Sequence, residues 1–390
     1  MSIIGRVGIR GKIALCAALF SIVWVVVVLL LHGDMRSDPQ FALPMDHHKY
    51  LAMAQQDVGT FRIAPFCWRI GAPAIAHAIG GDPWMVMMVL TALGVLLTTS
   101  AVALLVWDAT TSIPHAIGAC ATVLAMGWLT RASVWTPATV DMLACGLMMT
   151  AVAIRHRGSW VVSACALCCA VLVKESALLA LPIAYALDEQ RSWKHLVVWS
   201  LPAVLLVGIV RFAIPAGNAD PSYLATLPDT LRLVQHGTST YSLSYLLSTV
   251  AYDRVMHPAP TDLWALTGDS FGVIVLLLVG AAFRNLPSIR VPLLMVCMLT
   301  VAQVFLAVNI QRVVLMSGPA LAAIGWMHLC KTQLRWATNI IVYLACGSLI
   351  VTTVGARVSA PVIAQLTVLA TLVIAYVLHR RRVSEELDHA

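Results

Sequence analysis

"SWVVSACALCCAVLVKESALLALPIAYAL", residues 159–187, carries charge only at Lys174 and Glu175, near its middle. As one continuous helix it would hold two charges at the centre of a bilayer, at a cost of several kcal/mol. As two short arms turning at "LVKESA", it brings the chain back to the side it left. The first arm, residues 159–173, rises only about 22 Å against a hydrocarbon core of about 30 Å. Lys174 and Glu175 are therefore expected below the outer surface, at the floor of a watery cavity. Ionisable residues at that depth are functional candidates.

The rest of the chain supplies the membrane. Of its 390 residues 60% are hydrophobic and only 11% charged, with a mean hydropathy of +0.87; soluble domains carry about 25% charged residues. Runs such as "IALCAALFSIVWVVVVLLL" (13–31) exceed the length of about 17 residues that a spanning helix needs. The pattern predicts an all-α polytopic membrane protein, a single transmembrane domain over 1–390. Twelve spans are expected near 13–31, 84–106, 114–130, 138–154, 159–173, 176–187, 196–213, 269–283, 291–308, 313–329, 337–354 and 361–378. Long outer-face loops over 32–83 and 214–268 carry amphipathic pieces, "HKYLAMAQQ" and "STYSLSYLLSTVAYDRVM". The run at 13–31 is too long for a signal-peptide core and lacks a small-x-small site after it, so it is expected to remain as the first span.

Orientation follows from the basic residues. With both termini cytoplasmic, Arg6, Arg10, Lys12, Arg155, Arg157, Arg191, Lys194, Arg284, Arg290, Lys331, Arg335, Arg380, Arg381 and Arg382 lie inside. Making 159–187 a single span would flip every later loop and send nine of these outside. The net charge of +7 thus follows from topology and calls for no nucleic acid. The ten cysteines fall almost wholly in apolar runs. "CALCC" (165–169) has no His or acid beside it, so packing residues are expected rather than a disulfide framework or a metal site.

Most of the acidic residues fall on the outer side, together with basic ones at helix ends. The densest such stretch is "MDHHKYLAMAQQDVGTFRIAPFCWRIGAPAIAHAIGG" (45–81). If its start is helical, Asp46, Lys49 and Tyr50 share a face. Asp46 then reads equally as a general base for an acceptor hydroxyl and as a helix cap. A divalent metal at Asp46, His47 and His48 is the lesser reading, because adjacent helical residues point about 100° apart and nothing nearby completes a ligand set. Pro65 is expected to open a short helix with Arg69 one turn in, where a guanidinium suits phosphate; Arg62 reads as a snorkelling side chain. In "TRASVWTPATVDMLA" Thr136 reads as a cap and Pro137 as the first helical residue, with Asp141 one turn into the span. Lys174 and Glu175 can pair with each other, with Arg131 or with Asp141. In "NIQRVVLMSGPALAAIGW", Arg312 could hold a phosphate or snorkel.

Taken together, Asp46 with Tyr50, "APFCWRIGAP", "TPATVDML", "VKESALLALP" and "IQRVVLMSGPAL" resemble the GT-C superfamily of integral membrane glycosyltransferases. These enzymes use polyprenyl-phosphate-linked sugars, in the manner of mannosyl- and aminoarabinose transferases. The resemblance covers about 44–320 and lies in spaced residues. It implies a long first outer loop with juxtamembrane helices and an outward-facing cavity. It also implies an inverting, metal-independent transfer of a hexose or pentose from a polyprenyl-phosphate donor, in a bacterial-type inner membrane. On that footing Asp46 is the catalytic base. Arg69, Lys174 and Arg312 bind the donor phosphate, and Tyr50, Arg131, Asp141 and Glu175 support them. Where many members pair two acids in the first loop, this chain follows Asp46 with His47 and His48, which points away from the metal-dependent oligosaccharyltransferase branch. With no large soluble C-terminal domain expected, the acceptor implied is a lipid, an envelope glycan or a small molecule. The alternatives from other classes are a polytopic transporter or lipid-linked glycan flippase, and a non-catalytic assembly subunit of the same architecture.

Overall fold

The computed structural model describes residues 3–33, 35–38, 46–56, 59–187, 192–217, 220–228, 231, 272–306, 316–332, 334–354, 370, 371, 373–377 and 379. Arg312, the segment "STYSLSYLLSTVAYDRVM", the start of the expected span 313–329 and most of 361–378 lie outside them. Among the described residues every regular element is helical. The principal helices are α1 (Ile3–His32), α2 (Asp46–Gln55), α3 (Gly71–Ile79), α4 (Pro83–Thr110), α5 (Ile113–Leu124), α6 (Asp141–His156) and α7 (Trp160–Val173). They continue with α8 (Ala180–Leu187), α9 (Trp193–Ala213), α10 (Gly272–Asn285), α11 (Pro287–Leu306), α12 (Gly318–His328) and α13 (Thr338–Val354).

Among the described residues, four stretches are long and apolar enough to cross a membrane: Gly8–His32, Pro83–Thr110, Trp193–Ala213 and Arg335–Val354. Large apolar side chains face outward along these elements, with Leu30, Val161, Phe212 and Tyr343 each more than three-quarters exposed. A water-facing surface does not tolerate so much contiguous apolar area; a bilayer requires it. The chain is built as a helical membrane protein.

Side-chain contacts fix the directions of α1, α4, α6, α7 and α9. At one end, Arg10 Nε and Arg157 Nε donate to the two oxygens of Asp108 at 2.8 and 3.0 Å. This gathers the start of α1 and the last turns of α4 and α6. At the other end Arg36 reaches Asp82 at 3.0 Å, and Asp82 in turn caps α4 by accepting from the Trp84 N–H. Helices α1 and α4 are therefore antiparallel, and α4 and α6 run side by side in the same direction.

Helix α7 returns along α6, with Ser163 Oγ on the Ala151 carbonyl at 2.6 Å. Helix α9 then runs parallel to α7. Trp160 meets His195 at a ring separation of 5.2 Å, and Trp199 Nε1 donates to Ser163 Oγ at 2.9 Å. Since α9 starts again at the Asp108 end, the chain from Glu175 to Leu187 must run back down. The reversal expected at "LVKESA" is present, with Lys174 in extended conformation (φ −161°, ψ 127°) between the helices. Its arms are short, about 21 Å for α7 and about 12 Å for α8 by helical rise.

Helices α4 and α6 approach backbone to backbone. A Cβ on Gly94 would lie 2.5 Å from the Met142 backbone, and one on Gly146 would lie 2.5 Å from the Gly94 carbonyl oxygen. Small residues let the two backbones touch, the usual way membrane helices pack closely. Backbone cannot yield as a side chain can. Gly94→Ala is therefore expected to lower the thermal midpoint in detergent by an amount corresponding to about 1–3 kcal/mol. Gly280→Ala, with nothing within 4 Å of its added methyl, should leave the midpoint unchanged or slightly raised. Equal midpoints for the two variants would show that the α4–α6 contact is looser than described.

Candidate functional site

The end of the bundle opposite Asp108 holds most of the ionisable residues singled out above. Helix α2 begins at Asp46, which is half-buried, and covers His47, Lys49 and Tyr50. It packs on α3 and on the turn Pro137–Thr139. Asp46 occupies the first helical turn, where the unpaired N–H groups of the helix favour an acid; that position suits either of its two readings.

Pro65 precedes a single 3-10 turn, Phe66–Trp68, and Arg69 closes it by donating its backbone N–H to the Phe66 carbonyl. Arg69 thus sits one turn after Pro65, as expected, in a tighter helix than expected. Its guanidinium forks onto Glu175, with Nε–Oε2 at 2.9 Å and Nη2–Oε1 at 2.8 Å. The remaining nitrogen donates to Tyr50 Oη at 3.1 Å. Burial works against the Arg69 charge, but Glu175 and Tyr50 outweigh it and raise its pKa well above the ordinary value.

Lys174, next in sequence, turns the other way and forms a buried salt bridge with Asp141. Asp141 is not one turn inside its helix, as the sequence pattern suggests. Pro137–Thr139 is a separate 3-10 turn, and Val140 breaks the chain in the left-handed region at φ 55°, ψ −12°. A β-branched residue there stores about 1–3 kcal/mol. The break makes Asp141 the first residue of α6, with its carboxylate on the Lys174 ammonium.

Of the pairings left open for the turn, the structure makes Lys174–Asp141 and adds Arg69–Glu175, which sequence spacing did not reveal. Arg131 lies in the turn Trp128–Ala132 and donates to the Thr352 carbonyl at 3.2 Å, holding the last turn of α13. Arg62 is not merely snorkelling: it pairs with Asp220 at 3.4 Å and lies 4.6 Å from the Tyr223 ring. The rings of His47 and His48 stand 4.1 Å apart, and His47 meets Trp84 edge-on. Among the described residues no group of three His, Cys, Asp or Glu is placed to hold a metal.

Four aromatic and cationic side chains join the cluster without having been assigned a role from sequence. Phe66 packs edge-on against Tyr50 at 5.4 Å and lies near Lys49 Nζ at 4.9 Å and Arg69 Cζ at 5.8 Å. Lys49 is only 3% exposed; its place on the Asp46–Tyr50 face was the one sign of it in the sequence. Trp68 carries Arg211 of α9 against its ring at 4.7 Å and donates to the Ile214 carbonyl at 3.0 Å.

The chemistry on offer is two carboxylate–cation pairs sharing one helix break, a phenol on one of the guanidinium nitrogens, and an acid one turn before that phenol. Arg69 and Lys174 are already neutralised, so an anionic ligand reaches either by exchange with a carboxylate. Burial alone would raise the Glu175 carboxyl; the Arg69 charge and its paired hydrogen bonds override this and hold it at about 2, against 4.5 for an unpaired group. The folded value lies below the unfolded one, so the pair contributes fully above pH 4.5 and is lost as the pH falls toward 2. Thermal stability of the solubilised chain should decline across that window. Glu175→Gln should start from a lower midpoint at pH 7 and change less with acid; identical acid profiles would count against the pair.

Comparison of the chain with protein-family models, with curated proteins and with solved structures finds no match in any of the three.

Proposed function

We propose that the chain is a membrane glycosyltransferase of the GT-C type with twelve spans, moving a sugar from a polyprenyl-phosphate donor to a lipid or envelope-glycan acceptor. In this reading it lies in a bacterial-type inner membrane with both termini cytoplasmic, and the Asp46–Lys174 end faces outward. The observation that carries the reading is the convergence of the Asp46–Tyr50 helix, Arg69–Glu175 and Asp141–Lys174 at one end of the bundle.

Asp46 accepts the proton of the acceptor hydroxyl as that oxygen bonds to the anomeric carbon. The bond from this carbon to the phosphate oxygen breaks, and its electron pair leaves with the polyprenyl phosphate. Arg69 and Lys174 stabilise the departing phosphate, exchanging a carboxylate for it, and Arg312 supplies a third cation. Tyr50, Asp141 and Glu175 hold these groups in place before the donor binds, and Arg131 supports this end of the bundle through the last turn of α13. A phosphate leaving group with cationic partners needs no divalent metal in this scheme.

A transporter or lipid-linked glycan flippase is the second reading. The two pairs that close this end are the specific observation in its favour, because a gate also needs bonds that open and re-form. Mass spectrometry of envelope lipids and glycans separates the two. A deletion strain should lack one sugar, restored by wild type and not by Asp46→Asn at matched protein level, with a loss of at least about 100-fold for a general base. Full restoration by Asp46→Asn would make Asp46 a helix cap and overturn its catalytic role. An unchanged glycan profile in the deletion would favour transport.

A further inference from the structure

Arg211 lies in the last turn of α9 on a face that looks outward, beside Ile209 and Phe212, which are 62% and 92% exposed. Its guanidinium lies against the Trp68 ring at 4.7 Å. Among the described residues it makes no hydrogen bond or ion pair. The crevice between α7 and α9 is lined by Val171, Leu172, Val207, Val210 and Trp68, with Glu175 and Arg211 as its charged residues. Glu175, which lines the same crevice, is held at both oxygens by Arg69.

We propose that this crevice binds an anionic phospholipid, with one acyl chain along the apolar lining and the phosphodiester on the Arg211 guanidinium. The inference goes beyond glycosyl transfer and holds equally for a transporter. A planar guanidinium held against an aromatic ring keeps its N–H edges free for oxygen ligands. A single cation with a carboxylate in the same crevice suits one negative charge rather than two. The apolar walls ask for a chain attached to that charge, which free phosphate lacks. The competing account is that Arg211 simply snorkels beside a helix C-terminus, where the dipole favours a cation.

Native mass spectrometry of the full chain in detergent distinguishes the two, with phosphatidylglycerol, phosphatidylcholine of matched chains and glycerol 1-phosphate as probes. Wild type should retain phosphatidylglycerol in preference to phosphatidylcholine, and glycerol 1-phosphate should not displace it. Arg211→Ala should weaken phosphatidylglycerol binding about tenfold, the loss of one charge-assisted contact. Val207→Trp, which fills the crevice with Arg211 intact, should weaken it as well, and Arg284→Ala, at another exposed arginine, should not. Unchanged binding in Arg211→Ala would make the residue a snorkelling cation. Equal retention of phosphatidylcholine, or displacement by glycerol 1-phosphate, would overturn the lipid phosphodiester assignment.

Discussion

Lys174 and Glu175 are neighbours that need opposite partners, and the chain supplies them from 33 and 106 residues away. Lys174 and Asp141 are buried and Arg69 and Glu175 partly so; taking charges from water is costly and is recovered only where both pairs close with good geometry. That requirement links three places: the break between α7 and α8, the first turn of α6, and the loop that ends at Arg69. None of the three can move alone without leaving a charge uncompensated. Tyr50 extends the link to α2, and with it to Asp46 one turn earlier.

The rest of the bundle is arranged so that these groups can meet. The glycine contact between α4 and α6 draws the start of α6 inward, and the left-handed Val140 turns that start so that Asp141 leads the helix. The Asp108 bridge to Arg10 and Arg157 anchors the far end, which fixes the register of α1, α4 and α6 along their length. Trp199 on Ser163 does the same for α7 and α9. A membrane protein has little hydrophobic driving force between its helices, so close backbone packing and buried polar contacts of this kind hold it together.

Much of this was legible in the residues. The long apolar runs give the helices, and the charge pair in the middle of an apolar stretch gives the reversal at residue 174, because an unbroken helix there is electrostatically expensive. Asp46, Tyr50, Arg69, Asp141, Lys174 and Glu175 could be picked out as ionisable or aromatic residues at helix ends. Their pairing could not, because a partner 106 residues away leaves no local periodicity. Asp141 was misplaced by one turn because nothing in "TPATVD" announces a valine with positive φ, where glycine or asparagine is the usual signal. Arg131 could not be separated from the turn by pattern, since its partner is a backbone carbonyl at Thr352. Lys49 shares the Asp46–Tyr50 face in the sequence, but nothing in the pattern shows that it is buried beside the Phe66 ring.

The central claim is that Arg69 and Glu175 act as one unit across the helix break. A double-mutant cycle with Arg69→Met, Glu175→Met and both together, read as unfolding free energy in detergent at pH 7, tests it directly. The two single variants each strand a charge, while the double variant replaces the pair with apolar side chains of similar size. The account predicts that the double variant is more stable than the sum of the singles by about 2 kcal/mol or more. Effects that add to within about 0.5 kcal/mol would mean that the two residues do not depend on each other, and the polar centre would then not organise this end of the bundle.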